Sequence, residues 1–154
     1  MPRAATPPPA DALRAMMQQL FRRFGALAGD TTPCGKPLSM AHSHALMVLR
    51  ASPPMSQQAL GRVLAIDKSN VTRLCARMVA ADHVTQVAAA HDGRSRLVEL
   101  TARGRRVAGE VDRASRARFT ALLAAVPPAH RRDVLATLRH LLTAVDTLST
   151  PGSR

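Results

Sequence analysis

Between Asp67 and Asp82 the chain reads KSNVTRLCARMVAA, with no carboxylate in the run. At about 100° per residue, Ser69, Asn70, Thr72, Arg73, Ala76 and Arg77 fall on one side of a helix. Val71, Leu74, Cys75 and Met78 gather within an arc of about 100° on the other, the width of a core-facing stripe. The polar side carries groups that can meet base edges in a major groove. Arg reaches guanine O6 and N7 together, Asn bridges adenine N6 and N7, and Thr offers its methyl to thymine. Lys68 and the free N–H groups of the first helical turn suit phosphate. An ordinary solvated face would more often contain Glu, and carboxylates here would repel a polyanion.

A second basic feature lies nearby. In HDGRSRLVELT (91–101), Asp92-Gly93 is a turn signal flanked by two β-prone runs, VTQVAAA at 84–90 and RLVELT at 96–101. The spacing predicts a hairpin with Arg94 and Arg96 where the loop projects furthest.

These residues need elements to position them. Leu13, Met16, Met17, Leu20, Phe24 and Leu27 recur at three- and four-residue steps and predict a helix over about 11–28. After the loop GDTTPCGKP, Ser39 caps a helix that runs to about Ala51, where SPP stops it. Ser56 caps a helix over about 57–64, with Met55 and Leu60 forming a hydrophobic staple; Asp67 repeats the arrangement with Ile66 and Val71 for a helix over about 68–81. Two short helices joined by a tight turn form a helix-turn-helix, and the hairpin after them makes it winged. Thr101 then caps a helix over about 102–126, stopped by Pro127-Pro128. The last helix, about 128–148, carries Val134, Leu138, Leu141, Val145 and Leu148, a seam that needs a partner helix from this chain or from a second copy. The fold class is mainly α with one β-hairpin: four helices, a two-stranded wing, and two more helices. Residues 11–148 read as a single domain, with the winged module over about 38–101 and unstructured tails at 1–10 and 149–154.

The chain has 154 residues, a formal charge of +12 and a pI near 11.7, a balance that favours nucleic acid or anionic surfaces. Twenty of the 22 basic residues are Arg, so coding bias accounts for part of the charge. Its distribution still favours the winged segment: residues 62–106 hold nine basic and four acidic side chains. No apolar run approaches the roughly 20 residues of a membrane span, and no h-region follows the N-terminus, so a cytoplasmic protein is expected. Two distant cysteines make neither a disulfide framework nor a Cys-rich zinc site. No Ser-His-Asp or Cys-His grouping and no phosphate loop stands out, so neither catalysis nor a cofactor is expected.

Taken together, LSMAHSHALMVL, MSQQALGRVLAIDKSNVTRLCARMVAADHV and DGRSRLVELTARGR resemble the MarR family of bacterial transcriptional regulators. The motifs cover about 38–106, and the helix order extends the resemblance to the whole chain. It implies a homodimer built by the helices at about 11–28 and 102–148, bound to a palindromic operator in double-stranded DNA. The helix bearing Ser69, Asn70, Thr72, Arg73 and Arg77 would enter the major groove, and Arg94 the adjacent minor groove, held by Asp92. Ser56, Gln57 and Lys68 would meet phosphates. Many family wings have a longer Asp-Pro-x-Asp-Arg-Arg tip; here Gly93 stands where a first basic residue is usual, and Arg96 is a possible substitute.

The resemblance also implies a small effector, often an anionic aromatic compound, that releases the operator. Cys34, in a loop with Lys36 two residues on, is a candidate for oxidant sensing. Cys75 belongs to the buried stripe. His42 is a candidate effector-pocket residue beside Arg50 or Phe24, while His42 and His44 point apart on their helix and do not chelate one metal. Redox control through Cys34 and non-specific, charge-driven DNA binding stand as alternatives.

Overall fold

Four helices begin where short polar side chains take up free backbone N–H groups, as the sequence predicts. Ser39 Oγ accepts from His42 N at 3.3 Å, Ser56 Oγ from Ala59 N at 3.1 Å, Asp67 Oδ1 from Asn70 N at 2.8 Å and Thr101 Oγ1 from Gly104 N at 2.9 Å. The computed structural model describes residues 8–89 and 92–149, with backbone alone at 89 and 92–95. Its helices are α1 (Pro9–Phe24), α2 (Met40–Ala51), α3 (Gln57–Leu64), α4 (Lys68–Ala80), α5 (Ala102–Ala125) and α6 (Arg131–Ser149). Its strands are β1 (Met55–Ser56), β2 (Val84–Ala89) and β3 (Asp92–Leu100), in an antiparallel sheet of order β1-β3-β2.

Several bounds differ from expectation. The first helix stops at Phe24 because Gly25 turns left-handed, with φ of 82°, and Gly25 N–H closes onto Arg22 O. Leu27 continued the apolar spacing beyond that stop. Pro128–His130 form a single 3-10 turn, and α6 begins only at Arg131. Pro9, Ala10 and Ser149 are helical, with Pro8 before them as the N-cap, so the predicted tails are shorter at those positions; residues 1–7 and 150–154 lie outside the described ones.

The wing departs more. Asp92-Gly93, expected to turn, lies in β3, where Asp92 pairs with Ala89 and Arg96 with Ala88. The register shift between those pairs makes Gly93, Arg94 and Ser95 extra residues on β3, an irregularity that bends and twists a strand. At its other edge β3 takes β1, with Met55 opposite Val98 and Ser56 opposite Leu97.

The described residues divide into two units, one ending at Ser115 and one beginning at Arg116. The core of the first gathers Ala45, Leu46 and Leu49 of α2, Leu60 of α3, the α4 stripe, and Val84, Val98 and Leu100 of the sheet. Ala108 of α5 closes it. Met55 and Ile66, the outer halves of the two predicted staples, pack against this cluster. The turn from α3 to α4 is tight. Ala65 adopts φ of 53°, and a side chain at Gly61 would come within 3.3 Å of Ile66 O and Val71 Cγ1. At the start of α5 the backbone approach is closer still, since a Cβ on Gly104 would stand 1.8 Å from His83 O. Lys36 pairs with Glu110 at 3.3 Å and Arg50 with Asp112 at 3.6 Å, tying α2 and the loop before it to α5.

In the second unit the Arg131 guanidinium donates to Ala124 O and Val126 O, both at 3.0 Å, and so closes the C-terminal end of α5. Neither α1 nor α6 buries a residue. Leu13, Met16, Leu20 and Phe21 are exposed on α1, as are Val134, Leu138, Leu142 and Val145 on α6.

Candidate nucleic-acid interface

On α4 the two faces separate as the spacing predicts. Val71, Leu74, Cys75 and Met78 are at most 3% exposed, whereas Ser69, Asn70, Thr72, Arg73 and Arg77 are all exposed. Burial pushes the Cys75 thiol up, as suits a small core residue.

The polar face is ordered from its N-terminal end. Asp67 Oδ1 accepts from Ser69 Oγ at 2.7 Å as well as from Asn70 N, and Asp67 Oδ2 accepts from the Asn70 amide. The bonds from Ser69 and from the Asn70 backbone hold the Asp67 carboxyl down to about 2, so it is charged at neutral pH. Asn70 Oδ1 in turn accepts from Arg73 Nη2 at 2.8 Å. Thr72 Oγ1 donates back to Lys68 O at 2.8 Å, so its hydroxyl hydrogen is already engaged within the helix.

A cleft of about 650 Å³ runs beside this face. Ser56, Gln57, Lys68, Thr72 and Arg96 line it together, so residues from β1, α3, α4 and β3 converge on one concave surface. Arg62, which sequence reasoning passed over, also lines it. Its only signal was an exposed cation in the last turn of α3. Gly61, Ile66 and Val71 supply apolar surface, while Arg62, Lys68 and Arg96 supply cations and Ser56, Gln57 and Thr72 hydroxyl and amide groups, a combination suited to a phosphate chain. A shallower depression is lined by Lys68, Ser69, Thr72 and Arg73.

Of the wing residues, Arg96 is exposed on β3 and reaches the cleft. The side chains of Asp92 and Arg94 lie outside the described residues, and so does the expected bracing of one by the other.

The sensing candidates sit elsewhere. Cys34 is half-buried with its Sγ 3.1 Å from Thr32 Oγ1, and the Lys36 cation is directed to Glu110. His42 is 8% exposed, and its Nε2 lies 2.9 Å from Nδ1 of His83, a buried partner that sequence spacing did not indicate. Among the described residues no group of three or more His, Cys, Asp or Glu is placed to hold a metal, and no helix is long and apolar enough to cross a membrane.

Comparison with known proteins bears on this arrangement. Residues 36–95 match the model of the MarR family. No curated protein sequence matches the chain. Among solved structures, a probable transcriptional regulator from Pseudomonas aeruginosa is similar at 24% identity and a TM-score of 0.72, covering 86% of this chain and 98% of that one. Streptococcus pneumoniae FabT, solved in complex with DNA, is similar at 15% identity and a TM-score of 0.72, over 91% of this chain and 96% of its own. Bordetella bronchiseptica BpsR, whose DNA binding is regulated by 6-hydroxynicotinic acid, is similar at 22% identity and a TM-score of 0.67, over 92% and 97%. At these identities the structural likenesses speak for the fold. Residues 36–95 are thus similar to the MarR family, and the chain has the winged helix-turn-helix fold of the regulators it resembles.

Proposed function

We propose that this protein is a transcriptional regulator that binds a palindromic operator as a homodimer and is released from it by a small ligand. The observation that carries the reading is the face of α4. Ser69, Asn70, Thr72, Arg73 and Arg77 stand exposed opposite a fully buried stripe, and no acidic side chain interrupts them. Charge alone would need no such order. With α4 in the major groove, Ser56, Gln57 and Lys68 meet phosphates along the neighbouring cleft, and Arg96 extends that contact. Arg94, at the wing, enters the minor groove, where a narrow A·T-rich segment has the negative potential that attracts Arg.

The exposed apolar faces of α1 and α6 support the dimer, since each is an amphipathic helix with its apolar stripe uncovered in the single chain. The fold shared with BpsR supports control by a small molecule. Selection of bound duplexes from a random pool, followed by footprinting, tests the reading. It predicts a two-fold symmetric sequence with half-sites about one helical turn, roughly 10 base pairs, apart. Recovery of no common sequence contradicts it.

A further inference from the structure

The side chains at the start of α4 are linked further than capping requires. Capping needs only the bond from Asn70 N to Asp67 Oδ1 at 2.8 Å. Here the second carboxylate oxygen also takes the Asn70 amide, and the Asn70 carbonyl takes Arg73 Nη2 at 2.8 Å. The chain of bonds runs carboxylate, amide, guanidinium along one exposed face.

Charge at both ends fixes the direction of the amide. Its NH2 must face the carboxylate and its carbonyl must face the guanidinium; the flipped amide would set like polarity against like at both contacts. An Asn that reads adenine offers one N–H and its carbonyl to a single base edge. In this chain one of the N–H groups is given to Asp67 and one carbonyl lone pair to Arg73, so the amide is held between those two before any base arrives. Arg73 keeps donors to spare, because a guanidinium carries five N–H groups and Asn70 takes one.

Given the operator-binding reading above, we infer that Asp67 and Asn70 are positioning residues for Arg73, and that Arg73, not Asn70, reads a base here, a guanine. Bracing a long, flexible cation before it meets DNA reduces the ordering left to do on binding. The same bracing aims it at one base step.

The full-length protein and its selected operator test this. Each operator guanine is replaced singly by 7-deazaguanine, which lacks the N7 acceptor, and binding is measured for wild type, Arg73→Ala, Asn70→Ala and Asp67→Ser. Serine retains the cap but does not reach the Asn70 amide, and melting curves check that each variant folds. For wild type, one guanine in each half-site is expected to cost about fivefold or more. That penalty should vanish in Arg73→Ala and fall below about twofold in Asn70→Ala and Asp67→Ser. An undiminished guanine penalty in folded Asn70→Ala overturns the inference, as does a new insensitivity of that variant to 7-deazaadenine. A wild-type protein that binds its operator with no guanine penalty overturns it too. Failure to select any operator overturns the operator reading itself, and this inference with it.

Discussion

His42 Nε2 lies 2.9 Å from His83 Nδ1, with both rings buried and edge to face, so that α2 is joined to the segment between α4 and β2. One ring donates and the other accepts, an arrangement open to a neutral or singly charged pair and closed to a doubly charged one. Burial, the His83 ring and the Arg77 cation hold His42 down to about 4 from an ordinary 6.5. Burial and Arg103 lower His83 as well, against the opposing charge of Asp82.

Stability should therefore depend on pH in one direction. Both histidines titrate lower in the folded chain than in the unfolded one, so their contribution is complete above about pH 6.5 and is lost as pH falls toward about 4. Urea unfolding across that window should show a falling midpoint for wild type and a flatter profile for His42→Gln, which keeps a hydrogen-bonding group without the titration. Equal slopes would rule the pair out as the source of the pH dependence.

Gly104→Ala should destabilise the chain although alanine favours helix. The helical gain is about 1 kcal/mol. The added Cβ would meet His83 O at 1.8 Å, a backbone atom held by Thr101 N at 3.1 Å. Forcing that junction apart should outweigh the gain, for a net loss of about 1–3 kcal/mol by chemical denaturation.

What was legible in the sequence was local. Ser39, Ser56, Asp67 and Thr101 announce their helices because a cap and its target N–H lie three residues apart. The α4 stripe is legible for the same reason. What was hidden depends on distant partners. Strand β1 exists only because Met55 and Ser56 meet Val98 and Leu97, and nothing in the two residues themselves signals it. The His42–His83 contact joins positions 41 apart. At Asp92-Gly93 the local turn signal falls instead at the start of β3, where Asp92 pairs with Ala89 of β2. The polar face of α4 reads in sequence as five separate candidates; that Asp67 strings Asn70 and Arg73 together is visible only in three dimensions.

Lys68 and Arg96 should behave as phosphate-binding cations. Replacing either by Ala should weaken binding about equally for operator and unrelated duplex. It should also reduce the slope of log affinity against log salt by about 0.9 for each phosphate no longer neutralised. A weakening confined to the operator would reassign the residue to base reading.

Arg94→Ala should weaken operator binding by about 1–3 kcal/mol and leave the assembly state unchanged by sedimentation. Unchanged affinity would take the wing tip out of the interface.

The central claim is that the outward face of α4 reads sequence. Its most direct test is the ratio of affinities for the selected operator and for unrelated duplex at physiological salt, measured for wild type and for Arg73→Ala. The expected wild-type ratio is at least about 10³, sharply reduced in the variant. A ratio near one, with binding that merely falls steeply with salt, would contradict it.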